Sequence, residues 1–304
     1  MSATDIAAQL PQRPLGRTGH HVGVVGLGGQ AAISEPNNEA AACAIIDRAI
    51  ALGVNYFDTA PRYGRPDRWS ERYLGAALEG RRDSVYLASK THDRSRDGSL
   101  RLLGESLEAL RTHYLDAWQL HFVSTMLDVE QIFERGGAIE ALQLAREQKI
   151  VRNLGVAGHA DPDVLIECLR RFPFDQILLS INAADPHHLS FRARLLPMAA
   201  ERGIGIIAMK VTARGRLLQS WRPSPDDLRT DPELQPGTLT MKEALDYALS
   251  LPVSTAIIGC DNLSQLEENV ALACELRPLD DREMAALVER ARPVARQSLF
   301  FRAW

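Results

Sequence analysis

Four residues, each placed where an apolar run ends or just beyond it, carry side chains suited to acid–base chemistry: Asp58, Tyr63, Lys90 and His121. In "GVNYFDTAPRYG" (53–64) a strand-like run stops at Asp58, and Tyr63-Gly64 follows. Lys90 ends "VYLASK" and His121 ends "LDAWQLH". Taken singly, an aspartate at a strand end is a turn former or a cap. Taken together, a carboxylate, an ammonium, a phenol and an imidazole at successive strand ends suit a catalytic acid held at a barrel mouth. Charged residues are rarely buried unless paired. Asp58 and Lys90, on adjacent strands, have each other as partner.

The elements that must position them alternate along the chain. Short apolar runs at 22–29, 54–59, 84–89, 115–121, 153–158, 175–182, 203–210 and 255–260 read as buried parallel strands, near-continuous rather than alternating. Between them lie amphipathic stretches at 38–52, 70–80, 99–113, 137–149, 161–172, 191–203, 240–251 and 262–276. The first places Ala42, Ile45, Ile46, Ala49 and Ile50 on one stripe. Ser70 and Ser99 read as helix N-caps. Eight such units, joined by right-handed crossovers, predict a closed (β/α)8 barrel. The expectation is an α/β TIM barrel as a single domain over residues 1–304, with its core at about 15–290. Two irregular stretches, 122–136 and 211–239, follow strands and so belong at the C-terminal face, where barrels carry their sites.

Composition narrows the function. The 304 residues are 45% hydrophobic and 24% charged, with a net charge of -4. No basic field favours nucleic acid or anionic lipid. Cys43, Cys168, Cys260 and Cys274 form no CxxC pair, which fits free thiols in a reducing cytosol. "MSATDIAAQLPQRPLG" does not read as a signal peptide, and no apolar run nears the roughly 20 residues that span a bilayer. A cytoplasmic protein acting on small molecules is expected, with neither nucleic acid nor membrane as partner.

Two motifs point elsewhere and fail on context. "GLGGQA" (26–31) approximates a dinucleotide fingerprint, but that motif should open directly into a helix. Here "AAISEPN" intervenes, so Gly28 reads as a tight strand exit close to a ligand. The pairs His20-His21 and His187-His188 lack metal-site spacing, and adjacent residues on an extended chain point apart. No catalytic metal is expected.

"FDTAPRYG", "ASK", "LDAWQLH", "IIAMK" and "AIIGCDNLSQLEENV" (256–270) together resemble the signature blocks of the aldo-keto reductase superfamily, in order, from about residue 15 to 280. The resemblance implies a (β/α)8 barrel, in agreement with the alternation above. It also implies a catalytic tetrad at Asp58, Tyr63, Lys90 and His121. A carbonyl that accepts hydride needs a proton on its oxygen. A free tyrosine, with a pKa near 10, is a poor donor, and an ammonium lowers that value. Lys90 is expected to do so, held charged by Asp58, while His121 orients the carbonyl.

The resemblance further implies NADP(H) as cofactor, with NAD(H) as the alternative, bound across the barrel mouth. Gly259 and Cys260 would lie near the adenosine, and the helix starting near Asn262 would offer free N–H groups. Glu268 and Asn269 match the family's adenine-contacting pair. Lys210 ends the seventh strand, and Arg214 and Arg216 beyond it suit a phosphate clamp. The family's Ser-Asn after strand five is replaced by Gly158-His159, leaving Asn182 as a substitute for the carboxamide contact. Gln265 stands where many members carry an arginine for the 2′-phosphate, and Asp261 nearby opposes that phosphate. Arg62, Phe122 and Trp221 are candidates for the substrate wall, with Trp69 and the tail "SLFFRAW". The substrate would be an aldehyde, ketone, alcohol or sugar. A nucleotide-binding sensor or scaffold with little turnover is the rival reading. Sequence alone leaves the oligomeric state open.

Overall fold

The computed structural model describes residues 10–304, so the leading MSATDIAAQ of the segment judged for a signal peptide lies outside the described residues. A short antiparallel hairpin, β1 (Gln12–Pro14) and β2 (His21–Gly23), precedes the barrel. Eight parallel strands then close on themselves: β3 (Val25–Gly28), β4 (Tyr56–Asp58), β5 (Tyr86–Thr91), β6 (Leu115–Leu120), β7 (Val151–Gly158), β8 (Gln176–Ser180), β9 (Gly205–Met209) and β10 (Thr255–Ile258), with β10 pairing β3. The closed barrel agrees with the strand count read from the sequence. Closure leaves no edge strand to protect.

Why the runs are near-continuous is now plain. Every residue of β4, β5, β6, β8 and β9 is buried, because helices cover the outer face while side chains fill the interior. The helix Glu39–Ala51 buries Ala42, Ile45, Ile46 and Ala49, with Ile50 half-buried at the edge of that stripe. Low in the barrel, Tyr86 Oη donates to Gln176 Oε1 (2.8 Å), Gln176 Nε2 donates to Tyr56 Oη (3.2 Å), and His20 packs edge-on against Tyr86 at 5.0 Å.

Local differences have local causes. Ser99 is not an N-cap: the helix Arg96–Ala109 starts earlier, where Ser95 accepts from Gly98 N, and Ser99 is buried against Thr91 Oγ1 at 3.0 Å. Ser70 lies inside the helix Trp69–Ala77, bonded to Thr59 Oγ1 at 2.8 Å. Neither long loop is structureless. The first contains the helix Met126–Phe133, set by a capping box of Thr125 and Asp128, and the second contains Pro225–Thr230, set by Ser224 and Asp227. Two further helices, Asp281–Ala291 and Ala295–Ser298, lead into the C-terminal tail. No helix among the described residues is long and apolar enough to cross a membrane.

Candidate active site

The four candidate acid–base residues gather where β4, β5 and β6 end. Asp58 is the last residue of β4, and its backbone carries it inward beside Lys90 of β5. Lys90 Nζ donates to Asp58 Oδ2 at 2.5 Å and to Thr59 O at 2.8 Å. Both side chains are buried, at 0% and 1% exposure. Tyr63, on the loop after β4, lies half-buried over the pair, with Lys90 Nζ 5.0 Å from its ring centroid. His121, just past β6, meets the Tyr63 ring edge-on, centroids 5.8 Å apart at 87°. The tertiary structure thus brings all four predicted residues together.

Their proton affinities follow from burial and from one another. Burial alone would pull the Lys90 ammonium down, but Asp58 and Tyr63 hold it above its ordinary value, so it stays charged. Burial raises the Asp58 carboxyl, with Lys90 and Gln119 opposing. For Tyr63 the balance differs from the expected acidification: burial raises the phenol more than Lys90 lowers it. The group therefore holds its proton at neutral pH. His121 is pushed well below the usual imidazole value by burial and then by Lys90, so it is neutral. Its buried Nδ1 has no partner among the described residues.

His159 is a second such imidazole. It follows β7, lies between Phe122 (5.0 Å) and Phe301 (6.0 Å), and is lowered strongly by burial and then by Lys210. Its Nδ1 also has no partner among the described residues. Beside it, Gly158 is required by space: a Cβ there would lie 2.7 Å from Val123 O. Asn182 is committed to the scaffold, donating to Lys210 O (3.0 Å) and accepting from Ala184 N (2.9 Å). That bond helps to hold Lys210 in a left-handed conformation (φ 59°), and Ala213, Arg214 and Gly215 share it. Such strain in non-glycine residues gathers at functional sites. Lys210 is lowered to about 8, first by burial and then by Arg214.

The proposed cofactor contacts form two groups. Gly28 and Gly259 face each other across the β3–β10 seam; a Cβ on Gly28 would lie 3.2 Å from Gly259 N. Gly259, Gln265 and Glu268 are exposed beside this seam. The helix Leu263–Cys274 is partly capped from within. Asn262 Oδ1 accepts from Gln265 N (2.9 Å), and Gln265 Oε1 accepts from Asp261 N (2.8 Å). Asn269 turns inward, 3.5 Å from Cys260 Sγ, and burial pushes the Cys260 thiol up to about 11. Across the mouth, the Arg216 guanidinium stacks on Phe300 at 4.7 Å and Trp221 at 5.7 Å, with Arg214 5.7 Å from Phe300.

Of the proposed wall residues, Phe122 is 45% exposed and held by Arg94, which donates to His121 O and Phe122 O. Arg62 is exposed next to Tyr63. Trp69 stacks on Tyr73 and lines an outer cleft of about 560 Å³ that contains none of the four acid–base residues. Sequence reasoning missed Gln119, whose signal was a polar residue inside an apolar strand. It also missed Arg302, which carries no local signal. Arg302 is buried in the tail, 2.5 Å from Asp185 Oδ1, and also donates to Ser180 O and His188 O. This anchor sets Phe300 and Phe301 over the site.

No group of three or more His, Cys, Asp or Glu residues comes together as a metal site among the described residues. The aldo/keto reductase family profile matches residues 22–292. The chain is 30% identical to L-galactose dehydrogenase of Arabidopsis thaliana over 91% of its length and 92% of that protein. It is 27% identical to the oxidoreductase YqkF of Bacillus subtilis, covering 91% and 95%. The holo form of the aldo-keto reductase AKR11C1 of Bacillus halodurans superposes with a TM-score of 0.74 at 28% identity, covering 93% and 96%. With eight closed strands, a paired Asp58 and Lys90 at their mouth, and a family match across most of its length, the chain is an oxidoreductase that belongs to the aldo/keto reductase family.

Proposed function

We propose that the protein exchanges hydride between NAD(P)(H) and a carbonyl or alcohol, with Tyr63 as the proton donor and acceptor. The observation that carries this is the buried Asp58–Lys90 pair at 2.5 Å beneath the half-buried phenol of Tyr63. The residues present suit a dinucleotide. The Lys210–Arg216 turn offers cations, and His121 and His159 each carry a buried ring nitrogen with no partner among the described residues. When bound, the nicotinamide supplies the hydride chemistry; the chain supplies position and electrostatics.

Each residue then has a task. Tyr63 Oη gives its proton to the developing alkoxide oxygen, and Lys90 steadies the phenolate left behind. Asp58 keeps Lys90 charged and fixed. His121, neutral, hydrogen-bonds the carbonyl oxygen and aims it at Tyr63. His159, between Phe122 and Phe301, lines the same space. Lys210, Arg214 and Arg216 bind the dinucleotide phosphates, and Glu268 reaches the adenine. NADP(H) is favoured by this cluster of cations, although Gln265 and Asp261 supply no charge for a 2′-phosphate.

The substrate is a small aldehyde, ketone or sugar, and the similarity to a sugar dehydrogenase supports a hydroxylated one. Calorimetric titration with NADPH and NADH, followed by a carbonyl and sugar panel, tests this. Turnover of at least one panel member is expected. Tight cofactor binding without any turnover would instead mark a nucleotide-sensing or scaffold barrel.

A further inference from the structure

Asp58 has a second side-chain partner that the acid–base scheme leaves unused. Lys90 occupies Oδ2, while Oδ1 accepts from Gln119 Nε2 at 3.3 Å. Gln119 lies within β6 and is fully buried. A buried amide costs desolvation, and Gln119 Oε1 has no partner among the described residues. Packing alone would favour an aliphatic side chain there.

Strand register explains how the amide reaches the carboxylate. Gln119 is the Cα partner of Lys90 on one side and of Gly155 on the other. Barrel interiors fill in layers contributed by alternate strands. Asp58 on β4 and Gln119 on β6 are alternate strands, so their side chains meet across the strand that carries Lys90. Gly155 makes the room: a Cβ there would lie 2.8 Å from Gln119 Cγ and 2.9 Å from Gln176 Cγ.

We propose that Gln119 is a positioning residue for the proton-transfer pair, fixing the rotation of the Asp58 carboxylate so that one oxygen faces Lys90, in space left free by Gly155. The proposal rests on the acid–base reading of Tyr63 and Lys90. The titratable groups around Asp58 are Lys90 from β5, Tyr56 from its own strand, Tyr63 from the following loop and Lys210 beyond β9. Gln119 is a neutral donor among them, so it holds the carboxylate without adding charge.

The test compares Gln119→Leu, Gln119→Glu and Gly155→Ala with the parent, with Tyr63→Phe as the marker for the underlying reading. The readouts are the pH profile of turnover with NADPH and 4-nitrobenzaldehyde, and the Asp58 carboxyl ¹³C signal, assigned with Asp58→Asn. The second readout needs no turnover. Gln119→Leu should lower kcat about ten-fold, the effect of losing one hydrogen bond to a charged group, with KM changed less than about two-fold. Its acid limb should move up, because ionised Asp58 has lost a donor. Gln119→Glu sets two carboxyls side by side, which then share a proton, so activity should fail at alkaline pH where the parent still works. Gly155→Ala should move the Asp58 signal in the same direction as Gln119→Leu. A folded Gln119→Leu with the parent's pH profile and an unmoved Asp58 signal would overturn the proposal. A fully active Tyr63→Phe would overturn the acid–base reading instead, and the Asp58 signal would still decide the role of Gln119.

Discussion

Lys90 Nζ lies 2.5 Å from Asp58 Oδ2 with neither side chain exposed to solvent beyond 1%. A buried pair of this kind is seldom a net stabiliser, because both charges lose their hydration. Its presence at the barrel mouth is therefore accounted for by the proposed acid–base chemistry. Asp58 fixes the Lys90 ammonium beneath the Tyr63 ring, 5.0 Å from its centroid.

Removing the Tyr63 hydroxyl isolates its role. Tyr63→Phe should lower kcat by about 10² to 10⁴, the usual range for losing a positioned proton donor, while calorimetry shows cofactor affinity nearly unchanged. Normal turnover on a verified substrate would mean the proton comes from elsewhere.

Lys90→Met should cost stability as well as turnover. It leaves the Asp58 carboxylate buried without its cation, a loss of about 3–5 kcal/mol in denaturant unfolding. The deficit should shrink on acidification, since Asp58 then takes up a proton and no bare charge remains buried. Adding Asp58→Asn should recover part of the stability but none of the activity.

The two buried imidazoles predict an acid-labile fold. His121 and His159 are held well below 6.5, each first by burial. As pH falls through about 6.5, the unfolded chain takes up protons that the folded chain refuses, so stability declines. The melting temperature should drop between pH 7 and 5, and drop less in a His121→Gln/His159→Gln variant. An equal slope in both proteins would place the acid sensitivity in other groups.

Lys210 links cofactor binding to alkaline pH. Its ammonium titrates at about 8, lowered by burial and by Arg214. Dinucleotide affinity measured by calorimetry should weaken between pH 7 and 9 as this charge is lost. In Lys210→Met the affinity should already be low at pH 7 and vary little over that range.

The tail is fixed by a remote pair. Arg302→Met leaves Asp185 buried without its guanidinium, although Ser190 Oγ and the Phe191 and Arg192 backbone N–H groups still bond it. Substrate KM should rise by about ten-fold as Phe301 loosens from His159, a loss of about 1.4 kcal/mol. Unfolding by denaturant should report a parallel loss of stability. An unchanged KM would show that the aromatic tail does not bound the substrate space.

Much of this was legible in one dimension. The period of apolar runs and amphipathic stretches already implied eight strands in a closed barrel, because burial on both faces forces continuous apolar strands and a one-sided helix forces a stripe. Asp58, Tyr63, Lys90 and His121 stood out because polar residues at strand ends break that pattern. Local capping chemistry was harder to place: Ser95 and Ser99 are both good caps, and only packing against Thr91 decided between them.

What the sequence by itself determined was the eight-fold alternation of strand and helix and the four candidate acid–base residues at or just beyond the strand ends, both encoded by short-range pattern. Tertiary structure alone decided the rest. The desolvation of Tyr63, which raises its phenol despite Lys90, depends on the residues the fold packs around it. The reach of Gln119 to Asp58 depends on strand register and on the space at Gly155. The placement of Phe300 and Phe301 depends on Arg302 meeting Asp185 from the far end of the chain. These are long-range contacts, and solvation and register exist only once the barrel has closed.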